Sequence, residues 1–92
     1  MLYMVIEHYT SGPAPIYERA ARLGRMLPDG LRYVDSWIDA EPPMDRCFQL
    51  METDDPSLFQ VWLDRWRDLA TFEVVPVITS TEAAERVGRR WS

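Results

Sequence analysis

Residues Asp45 to Thr79 read DRCFQLMETDDPSLFQVWLDRWRDLATFEVVPVIT and change their hydrophobic period twice. Asp45 to Thr53 is short, apolar-rich and bounded by acidic turn residues, which predicts a strand. Asp55 before Pro56 is a helix start: Asp accepts orphan amide hydrogens as N-cap, and Pro at the first helical position loses nothing. The following helix places Leu58, Phe59, Trp62, Trp66 and Leu69 on one stripe, with Gln60, Asp64, Arg67 and Asp68 facing outward. Phe72 to Thr79 returns to β-type residues and predicts another strand.

The N-terminal half repeats this alternation. Leu2 to Tyr9 predicts a first strand, closed by Ser11-Gly12-Pro13. Ile16, Ala20, Leu23 and Leu27 recur at helical spacing, with Glu18 and Arg22 paired at i,i+4, until Pro28-Asp29-Gly30 stops the helix. Leu31 to Asp39 predicts the second strand, and the Glu41-Pro42-Pro43 turn makes it a hairpin with the third. Thr79-Ser80-Thr81-Glu82 is a capping box opening a terminal helix that runs to about Gly88.

The order β-α-β-β-α-β plus a final helix is a ferredoxin-like α+β arrangement over residues 1–92. Right-handed crossovers give a four-stranded antiparallel sheet in the order 4-1-3-2. If Ile6 lies beside Val74 and Phe48, one sheet face collects Leu2, Met4, Ile6, Val34, Ile38, Phe48, Leu50, Val74 and Ile78, and this face is expected to carry the helices. The other face collects Tyr3, Val5, Glu7, Tyr33, Asp35, Trp37, Cys47, Gln49, Met51, Glu73, Val75 and Val77, with no helix left to cover it. So apolar an open face needs a partner, and a second copy related by a two-fold axis gives a homodimer closed into a barrel.

Charge and residue types remove several function classes. Ten arginines and no lysine stand against fifteen acidic residues, a net charge of −5, which leaves little for counterion release on nucleic acid or for acidic membranes. The basic group Arg86, Arg89 and Arg90 lies beside Glu82 and Glu85 at helical spacing and reads as a helix-terminal feature. No apolar run approaches the roughly 18 residues of a membrane span, and no charged segment precedes a signal-like stretch, so the expectation is cytoplasmic. Without lysine there is no Schiff base to pyridoxal phosphate, no Walker A loop and no Ser-Lys hydrolase. One Cys and one His exclude an internal disulfide and a multi-His zinc site within a protomer, and the glycines do not form a dinucleotide fingerprint. The residues call for no cofactor and no metal; Glu52, Asp54 and Asp55 lack the Gly-punctuated loop of a calcium site.

Gly24-Arg25-Met26, Pro28-Asp-Gly-Leu-Arg-Tyr-Val34, Trp37, Arg46-Cys-Phe-Gln-Leu-Met-Glu-Thr-Asp-Asp-Pro56, Trp62, Arg65-Trp66, Asp68-Leu69, Phe72-Glu73 and Pro76-Val-Ile78 together resemble the bacterial domain of unknown function 3303 family. The resemblance covers nearly the whole chain. It implies a dimeric α+β barrel, similar in architecture to antibiotic biosynthesis monooxygenases and haem-degrading relatives, and no agreed reaction. Fold likeness does not transfer chemistry.

Candidate chemistry comes from a few residues. Glu7 and Glu73 on neighbouring strands are candidates to share a proton on a semi-buried face; the competing readings pair one of them with an Arg or with the dimer partner, or shift the strand register by one and separate them. Tyr33, Trp37 and Gln49 are candidates for a planar-ligand platform, or else for packing across the dimer. His8, expected on the helix side near Arg46 and Cys47, is the one imidazole available as a general base, or a surface group at a strand end. A Cys47 thiolate activated by His8 is opposed by strand parity, which points the two to opposite faces. Trp62 and Trp66 either wall a ligand cavity between helix and sheet or simply fill the core. Two functions follow. One is binding, or cofactor-free turnover of the oxygenase or isomerase kind, of a small, flat, mostly apolar organic molecule. The other is a noncatalytic homodimeric module.

Overall fold

The computed structural model describes residues 1–89, so Arg90 of the expected basic group lies outside the described residues. The chain runs β1 (Leu2–Tyr9), α1 (Pro13–Leu23), β2 (Arg32–Ile38), β3 (Arg46–Glu52), α2 (Leu58–Asp64), β4 (Ala70–Val77) and α3 (Ser80–Arg86). The four strands form one sheet in the order β2-β3-β1-β4, all neighbours antiparallel. This is the expected order read from the opposite edge.

Local chemistry accounts for the element ends. Gly24, at φ +66, ends α1 with its amide on the Ala20 carbonyl, one turn earlier than the apolar spacing suggests. Leu27 therefore leaves the helix but still packs against the core. Asp55 acts two residues ahead of α2 rather than as its N-cap, which is Ser57: the Asp55 carboxylate accepts from the Ser57 amide at 3.1 Å and from its hydroxyl at 2.6 Å. The helix ends at Asp64, so Trp66 and Leu69 are held by successive turns, and β4 starts at Ala70 rather than Phe72. Thr79 caps α3 as expected, its hydroxyl accepting from the Glu82 amide at 3.1 Å. On α1, Arg19 rather than Arg22 makes the ion pair, reaching Asp68 at 2.6 Å instead of Glu18 along the helix.

β1 and β3 turn toward the helices the face opposite to the expected one, whereas Ile38 and Val74 lie on the helix side and Glu73, Val75 and Val77 on the uncovered side, as expected. Val5, Tyr9, Cys47 and Met51 are buried in the core with Ile16 of α1 and Phe59 and Trp62 of α2, and Tyr3, Ile38, Phe72 and Val74 pack against that core. Tyr3 meets Phe59 edge-on at 5.1 Å between ring centroids. Leu2, Met4, Ile6, Phe48, Leu50, Val75 and Val77, half-buried, take no part in it. Two causes combine. β1 is apolar at both parities, so alternation does not mark its inner face. In addition, β4 is shifted by one residue: Val5 pairs with Val74, and Ile6 with Glu73. On β2 a register irregularity between Tyr33 and Asp35 sets Tyr33 opposite Met51, and Trp37 opposite Phe48 on the uncovered face.

Candidate functional site

A cavity of about 180 Å³ lies between the sheet and the helices. Its floor comes from Glu7 and Tyr9 of β1, Ser36 of β2, and Cys47 and Gln49 of β3. Ile16, Tyr17 and Ala20 of α1 form one wall, Trp62 and Trp66 another, and Gly24 and Arg25 close the remaining side. Tyr17, Gly24 and Arg25 are exposed and mark the mouth.

The floor is a polar line inside an otherwise apolar core. Glu7 is 5% exposed and Gln49 is 7% exposed. Gln49 Nε2 donates to Glu7 Oε2 at 2.5 Å, and Gln49 Oε1 accepts from Arg25 Nε at 3.2 Å. Cys47 is the cross-strand partner of Glu7, and its thiol lies near both the Glu7 carboxyl and the Tyr9 hydroxyl. Among the described residues no fully buried side-chain nitrogen or oxygen is left without a hydrogen-bond partner.

Burial raises the Glu7 carboxyl above its ordinary range, against the lowering effects of the Gln49 and Cys47 hydrogen bonds and the Arg25 charge. Burial also pushes the Cys47 thiol up to about 11, with the Glu7 charge adding to it. Near neutral pH Cys47 is therefore a thiol, not a nucleophilic thiolate. The Tyr9 hydroxyl is raised as well, again by burial first. Glu7 is the group in this line suited to exchanging a proton.

Trp62 and Trp66 have a second role besides walling the cavity. Both indole N–H groups donate to the Arg25 carbonyl, at 2.8 Å and 3.0 Å. Arg65 holds the next carbonyl, that of Met26, at 2.6 Å. The segment Gly24-Arg25-Met26, with Gly24 at φ +66 and Met26 at φ +57, is thereby fixed over the cavity. The Arg25 guanidinium lies 3.6 Å above the Tyr33 ring, and the Tyr33 hydroxyl is 2.7 Å from Ser36 Oγ.

The candidate residues thus divide. Glu7, Gln49, Trp62 and Trp66 share the cavity, and Tyr33 supports its rim through Arg25. Glu73 is not beside Glu7: it pairs with Ile6 on the other face, so the expected carboxylate pair does not form. Trp37 lies opposite Phe48, 52% exposed, on that same uncovered side. His8 is exposed and 3.2 Å from Asp45, on the parity opposite Glu7 and Tyr9, away from the helix side where it was expected. The parity argument against a His8–Cys47 pair holds, since His8 pairs with Arg46 and Cys47 with Glu7. Among the described residues no three His, Cys, Asp or Glu side chains converge on a point, and Glu52 instead pairs with Arg32 at 2.9 Å. None of them forms a helix long and apolar enough to cross a membrane.

Sequence reading missed Arg25, Tyr9 and Ser36 as site residues. A signal for Arg25 was present: two tryptophans four apart on one buried stripe bring two N–H donors that need an acceptor. No curated protein and no solved structure gives a significant match to the chain. A model of one family, described as a domain of unknown function (DUF3303), matches residues 1–90, and the chain belongs to that family.

Proposed function

We propose that this chain binds a small, flat, mostly apolar organic molecule in the cavity between sheet and helices, with Glu7 as the group that exchanges a proton with it. The observation that carries this reading is a cavity of about 180 Å³ with aromatic walls and one buried, ionisable carboxyl on its floor. An apolar cavity of about 150 Å³ is enough for benzene. The space fits a single ring, and it is below the roughly 300–1,000 Å³ of sites for larger ligands. Isomerisation-type chemistry, in which Glu7 takes a proton from one atom of the ligand and returns it to another, needs no group beyond those on the cavity floor.

The uncovered sheet face supports a second reading that coexists with the first. Leu2, Met4, Ile6, Phe48, Leu50, Val75 and Val77, with Trp37 beside them, make an apolar surface opposite the helices, and we assign it to contact with a second copy in a dimeric barrel. In that assembly the ligand cavity lies on the helix side of each protomer rather than in the barrel interior.

Native mass spectrometry of the protein, alone and with a library of single-ring aromatic compounds, tests both readings. The expected result is a dimer that carries one small molecule per protomer, released on denaturation. A dimer that retains no member of the library overturns the binding reading, and a monomer overturns the barrel.

A further inference from the structure

The polar groups at the cavity mouth identify the ligand further. Arg25 has five N–H donors, and only Nε, on Gln49, is committed to another described residue. Arg19, Arg32, Arg46, Arg67 and Arg86 each meet a carboxylate within 4.0 Å, whereas no carboxylate among the described residues lies that close to Arg25. Yet Arg25 is held more firmly than a solvated surface arginine. Its carbonyl is fixed by two indoles, the flanking residues Gly24 and Met26 both have positive φ, and its guanidinium face rests on Tyr33.

Stacking occupies the face of a guanidinium and leaves its edge, where the paired N–H groups match a carboxylate. That edge is at the rim of a single-ring cavity. We propose that Arg25 makes the cavity a site for small planar carboxylates, its guanidinium edge pairing with the ligand carboxylate while the ring packs against Trp62 and Trp66. The inference rests on the cavity being a ligand site.

The test is calorimetric titration of the whole chain with benzoate and with its neutral isostere benzamide, in wild type and in Arg25→Met. The Arg25 carbonyl, not its side chain, anchors Trp62 and Trp66, so Arg25→Met is expected to keep the fold. Wild type is expected to bind benzoate at least about tenfold more tightly than benzamide, a preference of the size that charge-assisted pairing supplies. In Arg25→Met the two affinities should fall within about threefold of each other, because benzoate loses more affinity than benzamide. Equal wild-type affinities, or a benzoate preference that survives in Arg25→Met, overturn the carboxylate assignment and leave the cavity as a ligand site. Failure of both compounds to bind at millimolar concentration overturns the cavity reading together with it. Should Arg25→Met not fold, the wild-type ratio still decides, because pairing with a charge at the rim must weaken as salt is added.

Discussion

Gln49 stands diagonal to Glu7 across the β1–β3 ladder and donates its amide hydrogen to the Glu7 carboxyl at 2.5 Å. Replacing it with Leu keeps most of the volume and removes this partner while Glu7 stays buried. Loss of a hydrogen bond to a buried polar group costs about 1–3 kcal/mol, and the Glu7 carboxyl should move further up. Urea unfolding of Gln49→Leu at neutral pH measures the first effect, and side-chain carbon NMR of Glu7 the second. An unchanged urea midpoint would show that Gln49 contributes nothing to holding the carboxyl.

Glu7 itself gives stability a defined pH dependence. Its folded-state value lies above the ordinary value of 4.5, so between the two the folded chain binds more protons than the unfolded one. The contribution is complete below 4.5 and is lost as pH rises through the folded value. Asp68, held below its ordinary 3.8 by Arg19, acts with the opposite sign at lower pH, and the Cys47 thiol acts only near 9 to 11. Comparison between pH 5 and pH 8 therefore isolates Glu7 among these groups. Wild type is expected to lose stability over that interval, and Glu7→Gln to lose less. Parallel profiles for the two proteins would contradict the assignment.

The element order was legible because each element carries its own local chemistry: the period change near Asp55, the capping box at Thr79, the hairpin turn at Pro42-Pro43. The inner faces of β1 and β3 were not. Leu2, Met4 and Ile6 are as apolar as Tyr3 and Val5, and the true inner face also carries Glu7 and Gln49, which look like outward residues until their mutual hydrogen bond is seen. The one-residue register of β4 and the irregularity at Tyr33/Asp35 depend on tertiary packing, and they separate Glu73 and Trp37 from the site. Trp62 and Trp66 were legible as cavity walls or as core, and they line a cavity that remains empty of protein atoms.

Ala20 lines the cavity from α1, which allows the space to be filled without removing any contact. Ala20→Leu should leave the ligand-free chain as stable as wild type, or more stable by about 0.5–2 kcal/mol, as cavity-filling changes commonly do. It should also abolish retention of a single-ring compound. Thermal melts and native mass spectra of the same sample separate the two effects. Ligand retention unaffected by the filled cavity would place the ligand elsewhere.

Cys47 is buried, and its thiol, raised to about 11, is in its protonated form near neutral pH. Alkylation requires the thiolate and access to it. Native protein at pH 7.5 is expected to resist iodoacetamide for hours and to label within minutes in urea. Fast labelling of the folded chain would mean that Cys47 is a reactive group, and the proton-exchange role of Glu7 would have to be revised with it.

Trp37 lies opposite Phe48, half-exposed, beside the apolar surface formed by Ile6 and Leu50. If a second copy covers this face, Trp37→Ala should weaken the dimer by about 2 kcal/mol or more, roughly thirtyfold in Kd, as loss of an aromatic anchor does. Leu50→Glu, which sets a charge near the middle of the face, should dissociate it outright. Neither residue belongs to the core cluster around Val5 and Met51, so circular dichroism of both variants should remain that of the folded chain. The ligand cavity is on the opposite side of the sheet, and monomeric variants should still bind there. Sedimentation velocity over a range of concentrations reads the oligomeric state. A dimer as tight in both variants as in wild type would mean that the contact uses another surface and that the apolar face has another role.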